Sequence, residues 1–150
     1  AAQLVLITAH LLPAWPSPAF WGIASWPVLL FCAGLLLLGL GLLMAIQSLI
    51  SLGTSLSPLP APKLFGHLVQ SGAYSHCRHP LYRALLLCSL GVVIATGSLL
   101  HLVLLLSLAA VLRRKARFEE RGLLHSHPEY SLYVASTPAI AAFVPGLDWR

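Results

Sequence analysis

Hydrogen-bonding side chains crowd together in two short stretches of this oily sequence. The first, Leu68–Tyr82 (LVQSGAYSHCRHPLY), brings together Tyr74, His76, Arg78, His79 and Tyr82. The second, Arg113–Arg121 (RRKARFEER), holds Glu119 and Glu120, half of the four acidic residues in the chain. Arg78 and His79 stand immediately before Pro80, a residue suited to the first turn of a helix. Donors beside a helix N-terminus suit a carboxylate or phosphate, although a basic residue at a helix end also snorkels to lipid without any site being present. Glu119 and Glu120 have basic residues within helical reach: Lys115 for Glu119, and Arg113 or Arg117 for Glu120. In each of these pairs the base precedes the acid, the weaker order, and acids near a helix C-terminus oppose its dipole. A carboxylate facing a bound cation, amine or ribose hydroxyl accounts better for the position.

Two other chemistries are disfavoured by spacing. His67, His76, His79, His125 and His127 are candidate metal ligands, and His76-x-x-His79 fits a helical turn. No cysteine or aspartate completes a recognisable zinc pattern, so no metal site is expected. Cys77 lies near His76 and His79, but sequence neighbours do not form a nucleophile–base triad. The odd set Cys32, Cys77 and Cys88 suggests no disulfide framework.

The surroundings of the two blocks set their environment. The sequence is 58% hydrophobic and only 9% charged, with a mean hydropathy of +0.85. A soluble domain carries about 25% charged residues, so the chain reads as an integral membrane protein. Polar residues between membrane segments are expensive and therefore mark function. The net charge of +5 is gathered at Lys63, Arg78 and Arg83 and at Arg113, Arg114, Lys115, Arg117 and Arg121. That clustering places both blocks on the cytoplasmic side, in a bacterial inner membrane or the endoplasmic reticulum. It offers no basic, aromatic-interleaved groove for nucleic acid.

The elements that position the blocks follow from apolar runs and their breakers. Ala1–Leu12 is a short apolar helix ending at Pro13, roughly 18 Å long. It has no basic segment before it and is not read as a signal peptide. Trp15, Trp21 and Trp26 flank a proline-rich turn as interface aromatics. Trp26–Ile50 spans the membrane at roughly 37 Å, with Gly34, Gly39 and Gly41 offering close approach to a neighbour. Ser51–Gly66 reads as loop. Leu81–Ala95 and Ser98–Leu112 form a tight hairpin turning at Gly97, whose second helix continues to about Leu124. The hairpin returns Glu119-Glu120 to Arg78-His79. Ala139–Val144 is too short to span and is expected to lie in the membrane interface. The fold class is thus an all-α membrane bundle of about four transmembrane helices in one domain. Residues 1–63 supply N-terminal helices and a loop, and residues 64–145 supply a cofactor-binding core.

The run Leu68-Val69-x-Ser71-Gly72-x-Tyr74-x3-Arg78-His79-Pro80-x-Tyr82, the apolar hairpin, Glu119-Glu120 and Tyr130-x2-Tyr133 together resemble the membrane methyltransferase superfamily. That group includes isoprenylcysteine carboxyl methyltransferases and phospholipid N-methyltransferases. The resemblance covers roughly Leu64 to Pro145, with Ala84 where the family usually has glycine and Ala73 where it often has proline.

The resemblance implies S-adenosylmethionine at the cytoplasmic mouth of the bundle and a lipophilic or lipid-anchored acceptor entering from the bilayer. Leu68, Val69, Tyr74, Arg78, His79, Pro80, Leu81, Tyr82 and Glu119 would hold the cofactor. Lys115, Arg117 and Glu120 would serve the acceptor and its chemistry, Lys115 standing where the prenylcysteine branch has an arginine. Prenylcysteine carboxylate O-methylation is the leading expectation and phospholipid amine N-methylation the second. A nicotinamide-dependent reductase of the sterol-reductase type and a non-catalytic scaffold are the alternatives from other classes.

Overall fold

The computed structural model describes residues 2–53 and 68–150. Lys63, His67 and most of the expected loop lie outside the described residues. Within them the chain is helical, with no strand: α1 (Ala2–Ala9), a 3-10 turn at Pro18–Trp21, α2 (Val28–Leu52), a second 3-10 turn at Gly72–Ser75, α3 (Pro80–Thr96), α4 (Leu99–Ser126) and α5 (Tyr130–Ser136). Pro80 opens α3, as the missing N–H and fixed φ of proline favour. Gly97 ends it at φ +60°, its N–H donating to Val93 O at 2.9 Å, so the expected hairpin turn is present.

Of the four expected spans, α2 alone among the described residues is long and apolar enough to cross a membrane. Helix α1 is only eight residues long. Helix α3 is apolar but reaches 17 residues. The 28 residues of α4 change from apolar to charged at Arg113.

The contacts divide the chain into two compact units. The first comprises Ala1–Leu43 and Ala84–Leu112. Its helices meet at glycine. A Cβ on Gly34 would lie 2.5 Å from the Gly91 carbonyl, and one on Gly91 would lie 2.7 Å from the Gly34 carbonyl. Gly41 packs in the same way on Cys88 and Ala84, whereas Gly39 has nothing within 4 Å. Two of the three predicted small residues on α2 therefore mediate contact and the third does not. Trp26 packs on Gly97 and donates its indole N–H to Ile94 O at 2.9 Å, which ties it to the hairpin turn. Several polar groups in this unit pair with one another: His10 binds Ser89 Oγ at 2.5 Å, and Ser98 Oγ bridges the backbone of Trp15, whereas the buried Nδ1 of His101 has no partner among the described residues.

The second unit comprises Met44–Arg83 and Arg113–Arg150. Within the tail expected at the interface, Ala139 and Ile140 are fully buried, whereas Phe143 and Val144 are exposed. The backbone N–H groups of Arg78 and His79 donate to Pro138 O and Ala139 O, each at 2.9 Å. An extended segment satisfies its N–H groups this way where no helix can, and the tail becomes a wall of the polar site.

Candidate functional site

Arg78 and His79 sit on the extended residues between a 3-10 turn and α3. The turn is held at its start by Ser51 Oγ, which accepts from the Ala73 N–H at 3.2 Å. From α5, the hydroxyl of Tyr133 donates to Tyr74 O. With the backbone fixed from these sides, the two side chains point at the charged end of α4.

The Arg78 side chain is fully buried. Its Nε donates to Glu120 Oε1 at 2.8 Å. One terminal nitrogen donates to Val134 O at 2.9 Å and also to Thr137 O, and the other donates to Trp149 O at 2.6 Å. A guanidinium presents five donors, and four bonds to the protein leave it committed inward.

Glu120 collects the other half of the network. Its Oε1 also accepts from His79 Nε2 at 2.9 Å, and its Oε2 accepts from the Trp149 indole at 2.6 Å. An ionised carboxylate only accepts, so the ring hydrogen is assigned to Nε2 of His79. Burial alone would raise the pKa of Glu120, but the hydrogen bonds from His79, Arg78 and Trp149 outweigh it and hold the value at about 2. This carboxylate is ionised, enclosed and shared among three donors.

Glu119 differs sharply from its neighbour. Its side chain keeps 23% of its surface exposed. The Tyr82 hydroxyl lies 2.8 Å from both of its oxygens, and Lys115 approaches one of them at 3.7 Å. His79 Nδ1 faces the other at 3.8 Å. The His79 and Tyr82 rings stack with centroids 5.2 Å apart, and Lys115 Nζ lies 5.3 Å from the Tyr82 centroid. Tyr74 stands behind this group; burial is the main reason its phenol is pushed up to about 12, with the Cys77 and Glu119 charges adding to it.

The structure thus brings together Arg78, His79, Tyr82, Lys115, Glu119 and Glu120 from the predicted site. Arg117 instead lies over the Trp149 ring, 5.1 Å from its centroid. Pro80 borders a separate cavity with His76 and Arg83. Leu68, Val69 and Leu81 are half-buried. Of the predicted helical pairs, Lys115–Glu119 forms, while Glu120 pairs with Arg78 and His79 instead of Arg113 or Arg117. His127 faces Glu129 at 3.1 Å, and no three metal-ligating side chains gather among the described residues.

Trp149 is the residue that sequence reasoning missed. It lies beyond the span covered by the resemblance, and its role depends on the chain reversing over residues 141–148. Leu147 O accepts from the N–H groups of Ile140 and Ala141 there. The available signal was Pro145-Gly146, a turn dipeptide placed just before a lone tryptophan.

The described residues thus form a helical protein with one apolar helix of membrane-spanning length, and they hold a buried Arg–His–Glu network beside a partly open carboxylate. The chain belongs to the phospholipid methyltransferase family, which it matches over residues 29–131. It is also 44% identical over 82 residues to the cobalt-zinc-cadmium resistance protein CzcN of Cupriavidus metallidurans. That match takes in 54% of this chain and 37% of the relative's length.

Proposed function

We propose that this protein transfers a methyl group from S-adenosylmethionine to a lipid-borne acceptor, with the cofactor held at Glu119, Tyr82 and Lys115 on the cytoplasmic side of a bundle of about four spans. The observation that carries this reading is the contrast between the two glutamates. Glu120 is consumed by Arg78, His79 and Trp149, whereas Glu119 keeps an open side framed by a phenol and an ammonium. The donor set fits the cofactor's chemistry. A carboxylate accepts from an ammonium or from ribose hydroxyls, and Tyr82 and Lys115 donate to a carboxylate. When bound, S-adenosylmethionine supplies an electrophilic methyl carried on a sulfonium. Membership of the methyltransferase family supports the same reading.

The chain's own residues do the rest. Arg78 and Glu120 act as positioning residues that fix the His79 ring against Tyr82. Holding two reactants aligned can supply much of the rate of a displacement. An amine acceptor must lose a proton before attack, and His79, with Nδ1 turned towards the open Glu119, is placed to take it. Glu120, held at about 2, is too weak a base for that task. Arg117 holds the Trp149 ring and so acts through the tail.

A phospholipid amine is the acceptor this arrangement suits first, since the charge of Lys115 is shared with Glu119. A prenylcysteine carboxylate is the second reading, favoured by the presence of Lys115 at the site. The two readings separate on the acceptor itself: supplied with S-adenosylmethionine, the purified chain methylates an amine-bearing phospholipid under the first and a prenylcysteine carboxylate under the second. The test of the main reading is calorimetric titration of the detergent-purified full chain with S-adenosylmethionine and, in parallel, NADPH. Micromolar binding of S-adenosylmethionine alone supports it. Binding of NADPH alone would move the assignment to a reductase, and silence from both would leave a scaffold.

A further inference from the structure

The first unit contains no Asp, Glu, Lys or Arg, and its two histidines, His10 and His101, are placed against each other. Their ring centroids lie 5.8 Å apart, with the planes at 62°. His10 directly follows α1, His101 lies in the first turn of α4, and Ser89 reaches His10 from α3. Ser89 and His101 are buried, whereas His10 is half-buried, which leaves a way in from the end of α1. Ionisable side chains inside an apolar helical unit are costly to keep and mark function by default. None of the three belongs to the Glu119–Tyr82 site or to the Arg78–Glu120 network.

Each ring has one nitrogen tied to the backbone and one lone pair left over. His10 Nδ1 lies 2.7 Å from Leu6 O, and a carbonyl only accepts, so the ring hydrogen is assigned to that nitrogen. Nε2 of the neutral ring is then an acceptor, which the Ser89 hydroxyl meets at 2.5 Å. His101 Nε2 donates in the same way to His10 O at 3.3 Å. Its Nδ1 is therefore a bare acceptor, buried and without a hydrogen-bond partner among the described residues. Buried polar atoms are normally satisfied, so an orphan of this kind calls for a ligand. A metal-ligating histidine characteristically fixes its other nitrogen by donating to a carbonyl or carboxylate, and both rings do so.

We propose that His10 and His101 form a two-histidine site for a monovalent copper ion, with the Ser89 hydroxyl as an auxiliary ligand. The site is independent of the methyltransferase reading. Imidazole nitrogen takes zinc and copper alike, and charge separates them. The cost of bringing an ion into an apolar medium rises with the square of its charge. All four acidic residues of the chain belong to the second unit, so no carboxylate of the first unit offsets a dication. A monocation held by two neutral nitrogens carries the smaller penalty. The spacing agrees. With a metal–nitrogen distance of about 2.0 Å, each ring centroid stands roughly 3.2 Å from the ion, and two rings sharing it lie up to roughly 6.4 Å apart. The observed 5.8 Å falls within that reach. A water on Nδ1 of His101 is the competing account, and it predicts no metal binding that depends on both histidines.

The experiment uses the full chain in detergent with Cys32→Ser, which removes the exposed thiol. Under anaerobic conditions it is titrated with Cu(I) held by bicinchoninate, and transfer of the metal is read from the loss of the chelate's colour. Cu(I) is expected to bind, and His10→Leu and His101→Leu should each weaken that binding at least 10-fold. Zn(II), followed by calorimetry, should bind at least 10-fold more weakly than Cu(I). X-ray absorption fine structure of the copper-loaded chain with both histidines intact does not depend on how the variants fold. It should show a first shell of nitrogen with imidazole scattering beyond it. Absence of Cu(I) binding, unchanged affinity in either histidine variant, or a first shell dominated by sulfur overturns the proposal. Zn(II) held more tightly than Cu(I) overturns the monovalent assignment.

Discussion

Trp149 grips the Arg78–Glu120 pair from both sides: its indole N–H donates to Glu120 Oε2 and its carbonyl accepts from Arg78, each at 2.6 Å. A residue next to the end of the described chain therefore completes the hydrogen bonding of the most deeply buried charges. The consequence is that the tail belongs to the site's structure, and damage to either should be felt in the other.

Replacing Trp149 with phenylalanine keeps a ring for Arg117 to cover but removes the donor to Glu120. A hydrogen bond to a charged group contributes about 1.5–3 kcal/mol. Trp149→Phe should lose stability in that range, measured by denaturant unfolding in detergent. A variant as stable as the wild type would show that the tail is dispensable to the network.

Arg78→Met should be more damaging, since it leaves Glu120 buried with its strongest cationic partner gone. Breaking one side of a buried ion pair costs about 3–5 kcal/mol. Glu120→Gln should cost less alone, because an amide can still accept from Trp149 or His79. The two changes combined should destabilise by less than the sum of the single effects, the mark of a direct coupling. Strict additivity of the three unfolding free energies would contradict the geometry.

The same pair predicts an acid response. The folded pKa of Glu120 is about 2, below its ordinary value of 4.5. Between those values the unfolded chain binds the extra proton, so stability rises with pH there. The contribution is fully present above pH 4.5 and is lost as pH falls from 4.5 towards 2. Thermal midpoints measured across that window should drop more steeply for the wild type than for Glu120→Gln. Parallel curves would mean that another group carries the acid sensitivity.

Much of this arrangement can be read from local residue types. Pro80 and Gly97 mark the hairpin because each has a backbone preference that acts wherever the residue stands. Arg78-His79 and Glu119-Glu120 are visible as charges with no other use in an apolar chain. The division of labour between the two glutamates is harder, yet a signal exists. Leu104, Leu108, Leu112, Ala116 and Glu120 recur every four residues, and all are buried, so Glu120 lies on the packed face of α4 and Glu119 is turned off it. The folding-back of residues 138–149 was not legible, since Ala139–Val144 is apolar enough for either a membrane surface or a core. The N–H groups of Arg78 and His79, which donate to Pro138 O and Ala139 O, draw only the start of that run inward.

The glycines of α2 offer a paired test of helix packing in the first unit. Gly34→Ala should destabilise by about 1–3 kcal/mol through overpacking against the α3 backbone, since the new methyl would fall 2.5 Å from Gly91 O. Gly39→Ala meets nothing within 4 Å and should be neutral or stabilising by up to about 1 kcal/mol from helix propensity. Unfolding of the two variants under one condition checks the contrast. Equal effects would remove the glycine contact as the basis of the α2–α3 approach.

Glu119→Gln isolates the open carboxylate. The substitution keeps the size and the Tyr82 contact while removing the charge that would face the cofactor. Folding should be little affected, because the side chain is partly exposed and the buried network runs through Glu120. A charge-assisted hydrogen bond of about 1.5–3 kcal/mol corresponds to roughly a 10- to 100-fold loss of affinity. Calorimetry with S-adenosylmethionine should show that loss at an unchanged unfolding midpoint. Wild-type affinity in the variant would take Glu119 out of the binding site, and a collapsed midpoint would give it a structural role instead.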